Sequence, residues 1–431
     1  MHILILGAGP TGLSLALSLL QRPHKDNHTF AIYEARPEPS SIGGAVNLTP
    51  TALRYLDSLN VLPKLLALGA PVKAIEIFSL HSGCRLSEVN FAKPEYGYTA
   101  LRIKRSDLLS SLHETLSSQG VTIQWGKKLV SINDTTEAGK AEAVFSNGQT
   151  AKGDLIVGCD GIHSPTRTSY VEPDRKPEYT GQCVAFGFLG GVKDGAESAL
   201  RPPLFFNDTA ILSSQNGSLL ATYCTADRST LFFGAVMRVP DEASREGWQV
   251  KGGDREAVKE DMQRRFGTLV TRKELECVKT MLHEVEDVCL YPVHMLSFPA
   301  RSTWAKNRVV LMGDAAHAMP PQGESTGFCI EDAVLFARIL ERRGPGEGQG
   351  SSDEDESKAK MTVPDLCKHF ETLRKPRMEE AVKESHYRWK GAHGGSWLAF
   401  KLQEHLTPWF LYFTEGKRDR EFCGDVRQME V

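Results

Sequence analysis

Near its start the chain carries an unbroken apolar run, Ile3-Leu4-Ile5-Leu6, cut at once by Gly7, Gly9, Pro10 and Gly12. A short continuous run closed by glycine predicts a strand buried on both faces. Apolar residues then recur at helical spacing over 11–20, and a second run at 30–33 stops at Glu34. Strand, helix, strand in that order predicts a βαβ unit. Helical periodicity returns over 51–59 and 106–117, and strand-like runs follow at 121–125, 143–145 and 155–157. Ser146-Asn147-Gly148 predicts a turn between the last two runs.

The texture changes over 178–291, where β-rich runs at 183–188, 218–223 and 231–238 are separated by Gly, Asn and Asp. This predicts an antiparallel sheet set into the α/β body, a wall that a substrate could face. A buried strand at 308–312 and a helix over 326–342 follow. Residues 344–361 then run through glycine and serine into Asp353-Glu354-Asp355-Glu356; with almost nothing apolar to bury, they predict a disordered acidic surface loop. The segment 397–413 is apolar but holds Lys401, Glu404, His405 and Pro408, so it predicts an amphipathic C-terminal helix lying on the body; contact with a membrane surface is the weaker reading.

Composition narrows the class of partner. The 431 residues suffice for two cores, and a net charge of -3 makes no case for nucleic acid. No run reaches the ~18 apolar residues of a membrane span. The nine cysteines contain no C-x-x-C pair, which argues against a disulfide framework and fits a reducing, cytoplasmic setting. No cluster with ligand spacing predicts a metal.

Gly7-Ala8-Gly9-Pro10-Thr11-Gly12 follows a strand and opens a helix, the context that gives a G-x-G-x-x-G its meaning. Gly9 would let the backbone approach a pyrophosphate, Gly12 would let helix and strand close up, and the helix N-terminus would supply N–H donors. Glu34, ending the second strand, is placed to accept from ribose hydroxyls, and Arg36 beside it could meet adenosine or phosphate. Further on, Asp314 follows Gly313 at the end of a strand, well placed for a polyol hydroxyl. A helix beginning near Ser325 would favour negative charge before it.

These motifs together resemble the FAD-dependent aromatic hydroxylases of the p-hydroxybenzoate hydroxylase type. Gly313-Asp314 with Ala315-Ala316-His317 matches the family's ribityl-binding element, and Asp160-Gly161 with Arg167 matches its middle motif. Arg102-Ile103-Lys104-Arg105 is similar to the segment whose arginine, here Arg105, touches the flavin nucleotide. Gly43-Gly44-Ala45-Val46-Asn47-Leu48 resembles a loop beside the flavin ring, most of all in the tetracycline-inactivating branch. Tyr179-Thr180-Gly181 and Phe233-Gly234 resemble that branch too.

The resemblance implies an α/β fold: a Rossmann-like FAD-binding domain with an inserted β-rich substrate domain and a C-terminal helical tail. The cofactor domain is expected over 1–75, 98–177 and 292–343, the substrate domain over 76–97 and 178–291, and the tail over 362–431. It implies FAD held by Gly9, Gly12, Glu34, Arg36, Gly44, Ala45, Arg105, Asp160, Asp314, Gly323, Ser325, Thr326 and Gly327. It implies NADPH or NADH as co-substrate, dioxygen, and a C4a-hydroperoxyflavin that oxygenates a small aromatic or polyketide-like molecule. Asn47, Phe186, Phe232 and Pro320 are the substrate-pocket candidates. His317 and His163 read as structural rather than catalytic, and no residue stands out as the catalytic base.

Two departures qualify the match. Pro321 runs straight into Gln322-Gly323-Glu324-Ser325-Thr326-Gly327, shorter than the family's loop, and Phe186 and Phe232 stand where the tetracycline branch has polar contacts. A tetracycline substrate is accordingly disfavoured. A flavin-dependent dehydrogenase or reductase, and a non-catalytic redox-sensing flavoprotein, remain as alternatives on the same cofactor fold.

Overall fold

The computed structural model describes residues 1–21, 28–39, 43–135, 139–190, 204–242, 244–299, 301–345, 360–391 and 397–431. The acidic segment expected at 344–361 lies, from 346 to 359, outside the described residues.

A six-stranded sheet forms the centre, in the order Ala305–Lys306, Val309–Leu311, Leu155–Gly158, His2–Leu6, Thr29–Tyr33, Ile123–Gln124. All neighbours are parallel except the first pair. Ile3, Leu4 and Ile5 have no exposed surface, as a strand covered on both faces requires. Helix Pro10–Leu20 starts on a proline, whose missing N–H costs nothing in a first turn, and packs against helix Ser325–Arg343. Thr49 caps the next helix, Pro50–Ser58, by accepting from the Ala52 amide.

A seven-stranded sheet stands beside this body, in the order Glu286–Met295, Glu178–Leu189, Leu231–Arg238, Gly217–Tyr223, Thr209–Ser214, Ala74–Ser79, Arg85–Asn90. It is antiparallel except where Thr209–Ser214 runs parallel to Ala74–Ser79. Period-two alternation sorts its side chains: Leu219, Ala221, Phe233, Ala235 and Met237 enter a core with Met262, Phe266 and Met281 from the covering helices. Phe232 and Phe186 occupy the other face.

Several boundaries differ from the sequence reading. The Ser146-Asn147-Gly148 turn joins Lys140–Phe145 to a further strand, Thr150–Gly153, whose single buried position hides it from a periodicity argument. The 121–125 run contributes only Ile123–Gln124 to the sheet, and Glu286–Met295 carries the seven-stranded sheet past 291. Ala45–Leu48, expected as loop, is a strand: it pairs with Ala100–Lys104, which in turn pairs with Ala70–Val72.

Two long helices, Val363–Gly391 and Trp397–Cys423, end the chain. The first lays Phe370 against Phe336 of Ser325–Arg343, ring centroids 5.3 Å apart. The second docks on Pro50–Ser58, where Arg54 donates to the carbonyls of Phe422 and Gly424 at 2.9 and 2.7 Å. Its packing on the body is one-sided, since Leu398, Leu402, Leu406, Trp409 and Phe413 are all exposed on it. No described helix is long and apolar enough to cross a membrane.

Candidate functional site

The three fingerprint glycines do different jobs. A Cβ on Gly7 would meet the Cys159 carbonyl oxygen at 2.3 Å, and one on Gly12 would meet the Gly7 carbonyl oxygen at 2.0 Å. Both are fixed by the protein's own packing. Nothing lies within 4 Å of a Cβ on Gly9. Gly9 instead opens on a cleft of about 440 Å³, lined also by Ala8, Glu34, Arg36, Arg105, Trp125 and Asp160. Helix Pro10–Leu20 carries no side-chain cap, so its first N–H groups keep their donor capacity toward this space. Glu34 is held there by its own backbone surroundings, accepting from the Ala8 amide at 2.8 Å and the Arg36 amide at 3.0 Å.

Arg105, the first residue of helix Arg105–Ser118, lines the cleft and donates its amide to the Gly44 carbonyl at 2.9 Å. Burial pulls its guanidinium pKa below the ordinary value and the nearby Arg36 adds to this, while Asp314 opposes it. Arg105 is therefore the electrostatic link between the cleft and the Gly313-Asp314 turn.

Asp160 lines the cleft, but its carboxylate is committed elsewhere. It accepts from the Thr166 amide at 2.8 Å, the Thr166 hydroxyl at 2.7 Å and the Ser164 hydroxyl, capping the turn that follows. Burial pushes its carboxyl pKa up against these bonds. The middle motif is thus a scaffold as well as a lining. Its Arg167 is fully buried and donates to the carbonyls of Arg175, Ala315 and Ile162, which ties the motif to the Gly-Asp turn 148 residues further along the chain.

At that turn Gly313 takes φ 60, and a Cβ would strike the Thr11 hydroxyl at 2.3 Å. The Asp314 side chain has the Cys329 thiol at 3.9 Å as its hydrogen-bonding neighbour and caps no helix. Burial raises its carboxyl pKa, with His317 and Arg105 opposing. This is an under-satisfied polar group beside a cleft, which is what an incoming hydroxyl would complete. Gly323, at φ 88, faces Asn47, and Ser325, Thr326 and Gly327 form the first turn of Ser325–Arg343, which has no side-chain cap. Gly327 is turned inward, its Cβ position 3.4 Å from Ala52 and Thr49.

The pocket candidates separate into two groups. Phe186 and Phe232 lie 5.3 Å apart, and both close on Gly44, where a Cβ would come within 2.8 Å of Phe232. Asn47 is buried with its Oδ1 unpaired, its carboxamide about 3.5 Å from the Gly323 Cβ position. Ala45 begins the same strand, opposite Lys104. Pro320 is buried and its carbonyl accepts from Ser385, so it anchors the loop to helix Val363–Gly391.

Sequence reasoning missed the network behind the loop. Asp332 accepts from the Gly313 amide at 2.8 Å and from Arg374 Nε at 2.6 Å, and lies 2.6 Å from His317 Nε2. Arg374 also reaches Glu331 at 2.9 Å, which Arg377 engages at 2.6 Å. Burial alone would raise the Asp332 pKa, but His317 and Arg374 hold it at about 2. The signal was present: two adjacent acids, Glu331 and Asp332, inside the apolar stretch from Phe328 to Ala337 demand cations, and Arg374 and Arg377 lie one turn apart. His317 itself is buried against Trp304, ring centroids 5.3 Å apart, and spends its Nε2 on Asp332.

Residues 1–352 match the FAD binding domain family. A 3-amino-4-hydroxybenzoate 2-monooxygenase of Streptomyces cremeus is 26% identical over 389 residues, covering 89% of this chain and 86% of the relative. The crystal structure of Klebsiella pneumoniae HpxO with FAD and uric acid superposes with a TM-score of 0.74 at 19% identity, covering 99% of this chain and 97% of that one. The tetracycline destructase Tet(51) superposes at 0.61 with 16% identity, covering 100% and 98%. The likeness to solved structures therefore belongs to the fold at large and does not single out the tetracycline-inactivating branch.

Proposed function

The chain belongs to the FAD binding domain family of flavoprotein monooxygenases, and on that premise we propose that it hydroxylates a small aromatic substrate with NAD(P)H and dioxygen. The observation that carries this reading is the meeting of three under-satisfied features from distant segments. They are the open face of Gly9, the Asp314 carboxylate, whose one side-chain hydrogen bond among the described residues is the long one from the Cys329 thiol, and the uncapped first turn of Ser325–Arg343.

These residues fit FAD. Gly9 and the first turn of Pro10–Leu20 would receive the pyrophosphate, Glu34 the ribose, Arg36 and Arg105 the nucleotide, and Asp314 a ribityl hydroxyl. Gly323 and the amides of Ser325, Thr326 and Gly327 would meet the electron-rich edge of the ring. When bound, FAD supplies hydride acceptance and oxygen transfer, chemistry that no side chain carries. The protein's part is position and dryness. Asp160 holds the cleft wall through its turn, while Phe186 and Phe232 keep water from the face of Gly44.

We assign the segments 76–97 and 178–291, which carry most of the seven-stranded sheet, to the substrate and the three remaining body segments to the cofactor. The named substrate of the Streptomyces relative and the uric acid held by HpxO are both small and flat, which supports a flat guest between Asn47 and the phenylalanine wall. Phenolic, polyketide and indole compounds should be screened for stimulated NADPH oxidation, with oxygen uptake and product mass followed together. Product gaining one oxygen atom in step with oxygen consumed is expected. NADPH oxidation that never draws on oxygen would move the protein to the dehydrogenases, and a colourless protein that refuses FAD would end the reading.

A further inference from the structure

Arg102 lies in the middle strand of the three-stranded sheet, cross-strand from Asn47 on one side and Ala70 on the other. It is only 5% exposed. Among the described residues its guanidinium has no carboxylate or carbonyl partner, and its enclosed Nε is unbonded. Burial pulls its pKa down to about 10, with only the Cys224 thiol favouring the charge, so the group remains cationic near neutrality.

The other deep arginines are treated differently. Arg167 is spent on three carbonyls, and Arg374 on Glu331 and Asp332. A buried cation without a counter-charge is among the costliest things a fold can hold. Asn47 Oδ1, directly across the strand pair on the same face, is orphaned as well. Two unsatisfied groups on one face imply that something from outside completes them.

The surroundings say what that is. Arg102 lies outside the lining of the Gly9 cleft, where the reading above places the phosphates. Lys104, two residues on and on the same face, lies over the Phe188 ring at 5.5 Å, and Phe188 meets Phe232 at 5.7 Å. This face therefore looks toward the phenylalanine wall that also covers Gly44. Lys104 is partly exposed and already stacked, which leaves Arg102 as the enclosed charge. A guanidinium fork matches a planar carboxylate better than any other common anion of that size.

We propose that Arg102, with Asn47 beside it, is the specificity-determining cation of the substrate site, selecting aromatic substrates that carry an ionised carboxylate. This rests on the reading above for where the substrate lies. The test titrates the FAD-loaded enzyme with matched pairs, salicylate against salicylamide and 4-hydroxybenzoate against 4-hydroxybenzamide. Binding is read from the visible flavin spectrum, without turnover, on wild type, Arg102→Gln and Arg102→Lys. Wild type should prefer at least one acid over its amide. Arg102→Gln should weaken that acid by about 10- to 100-fold and the amide by less than about threefold, with Arg102→Lys in between.

A wild type that binds no acid more tightly than its amide overturns the proposal, as does a glutamine variant that weakens both equally at normal FAD content. If Arg102→Gln fails to fold, the wild-type preference and the lysine variant decide the matter alone. Acids bound through Arg102 but never oxygenated would leave this proposal standing and bring down the monooxygenase substrate reading instead.

Discussion

At the scale of single residues, two fingerprint glycines are closed in by the protein's own backbone and the third faces open space. Gly9→Val adds a side chain where nothing of the protein lies within 4 Å, so folding should be nearly unaffected while FAD binding is lost. Equilibrium dialysis with FAD beside a melting curve checks both halves. A variant that keeps normal FAD affinity would show that the cleft has another tenant. Asp314→Ala should weaken FAD by about tenfold to a hundredfold, since a charge-assisted hydrogen bond contributes roughly 1.5–3 kcal/mol. Because that carboxylate caps nothing and, among the described residues, accepts one side-chain hydrogen bond, a long one from the Cys329 thiol, its loss should leave stability within about 1 kcal/mol. A large fall in melting temperature with unchanged affinity in the folded fraction would make it structural. The fingerprint, Glu34, Arg105 and Asp314 were legible because each belongs to a local strand-end motif. Arg102 was not, since its interest lies in what fails to stand next to it, and no spacing rule reports a missing partner.

Among elements, the buried strands announced themselves through continuous apolar runs. The shorter ones did not: Thr150–Gly153 and Ala70–Val72 have too few positions to show a period. The three-stranded sheet assembles from residues 45, 70 and 100 onward, pairings that only tertiary structure can set. The C-terminal helix brings a pH-sensitive contact to the body. Burial pushes the Glu421 carboxyl up to about 7, and Glu324 and Glu384 add to it, against Lys417 and Arg377. With the folded value above the unfolded 4.5, the folded state holds the proton that the unfolded state releases. Stability then falls as pH rises between 4.5 and about 7, by at most about 1.4 kcal/mol per pH unit, and is level outside that window. Glu421→Gln should remove this slope. Urea midpoints at pH 5 and pH 8 for both proteins would measure it, and parallel behaviour of the two would show that the shift is absent.

On the scale of the whole molecule, the residues that flank 346–359 lie together, because the Met361 amide donates to the Arg343 carbonyl at 2.7 Å. Deleting 346–357, which holds no apolar residue, should therefore change neither turnover nor melting temperature by more than about 2 °C. Loss of either would reveal a role for the acidic run.

The arginine clamps reach further in what they imply. Arg167 and Arg175 hold the carbonyls of Ala315 and Ala316, and Arg374 neutralises the Asp332 that receives the Gly313 amide. The opening strand gains its second parallel neighbour only at Leu155–Gly158, and the sheet is extended again only at Val309–Leu311. A growing chain on the ribosome thus displays its fingerprint glycines early, while the Gly313 turn lacks the Arg374 side of its support until that arginine has emerged. Cofactor capture is therefore expected late in biosynthesis, and nascent chains halted before that arginine should carry no flavin when isolated on the ribosome.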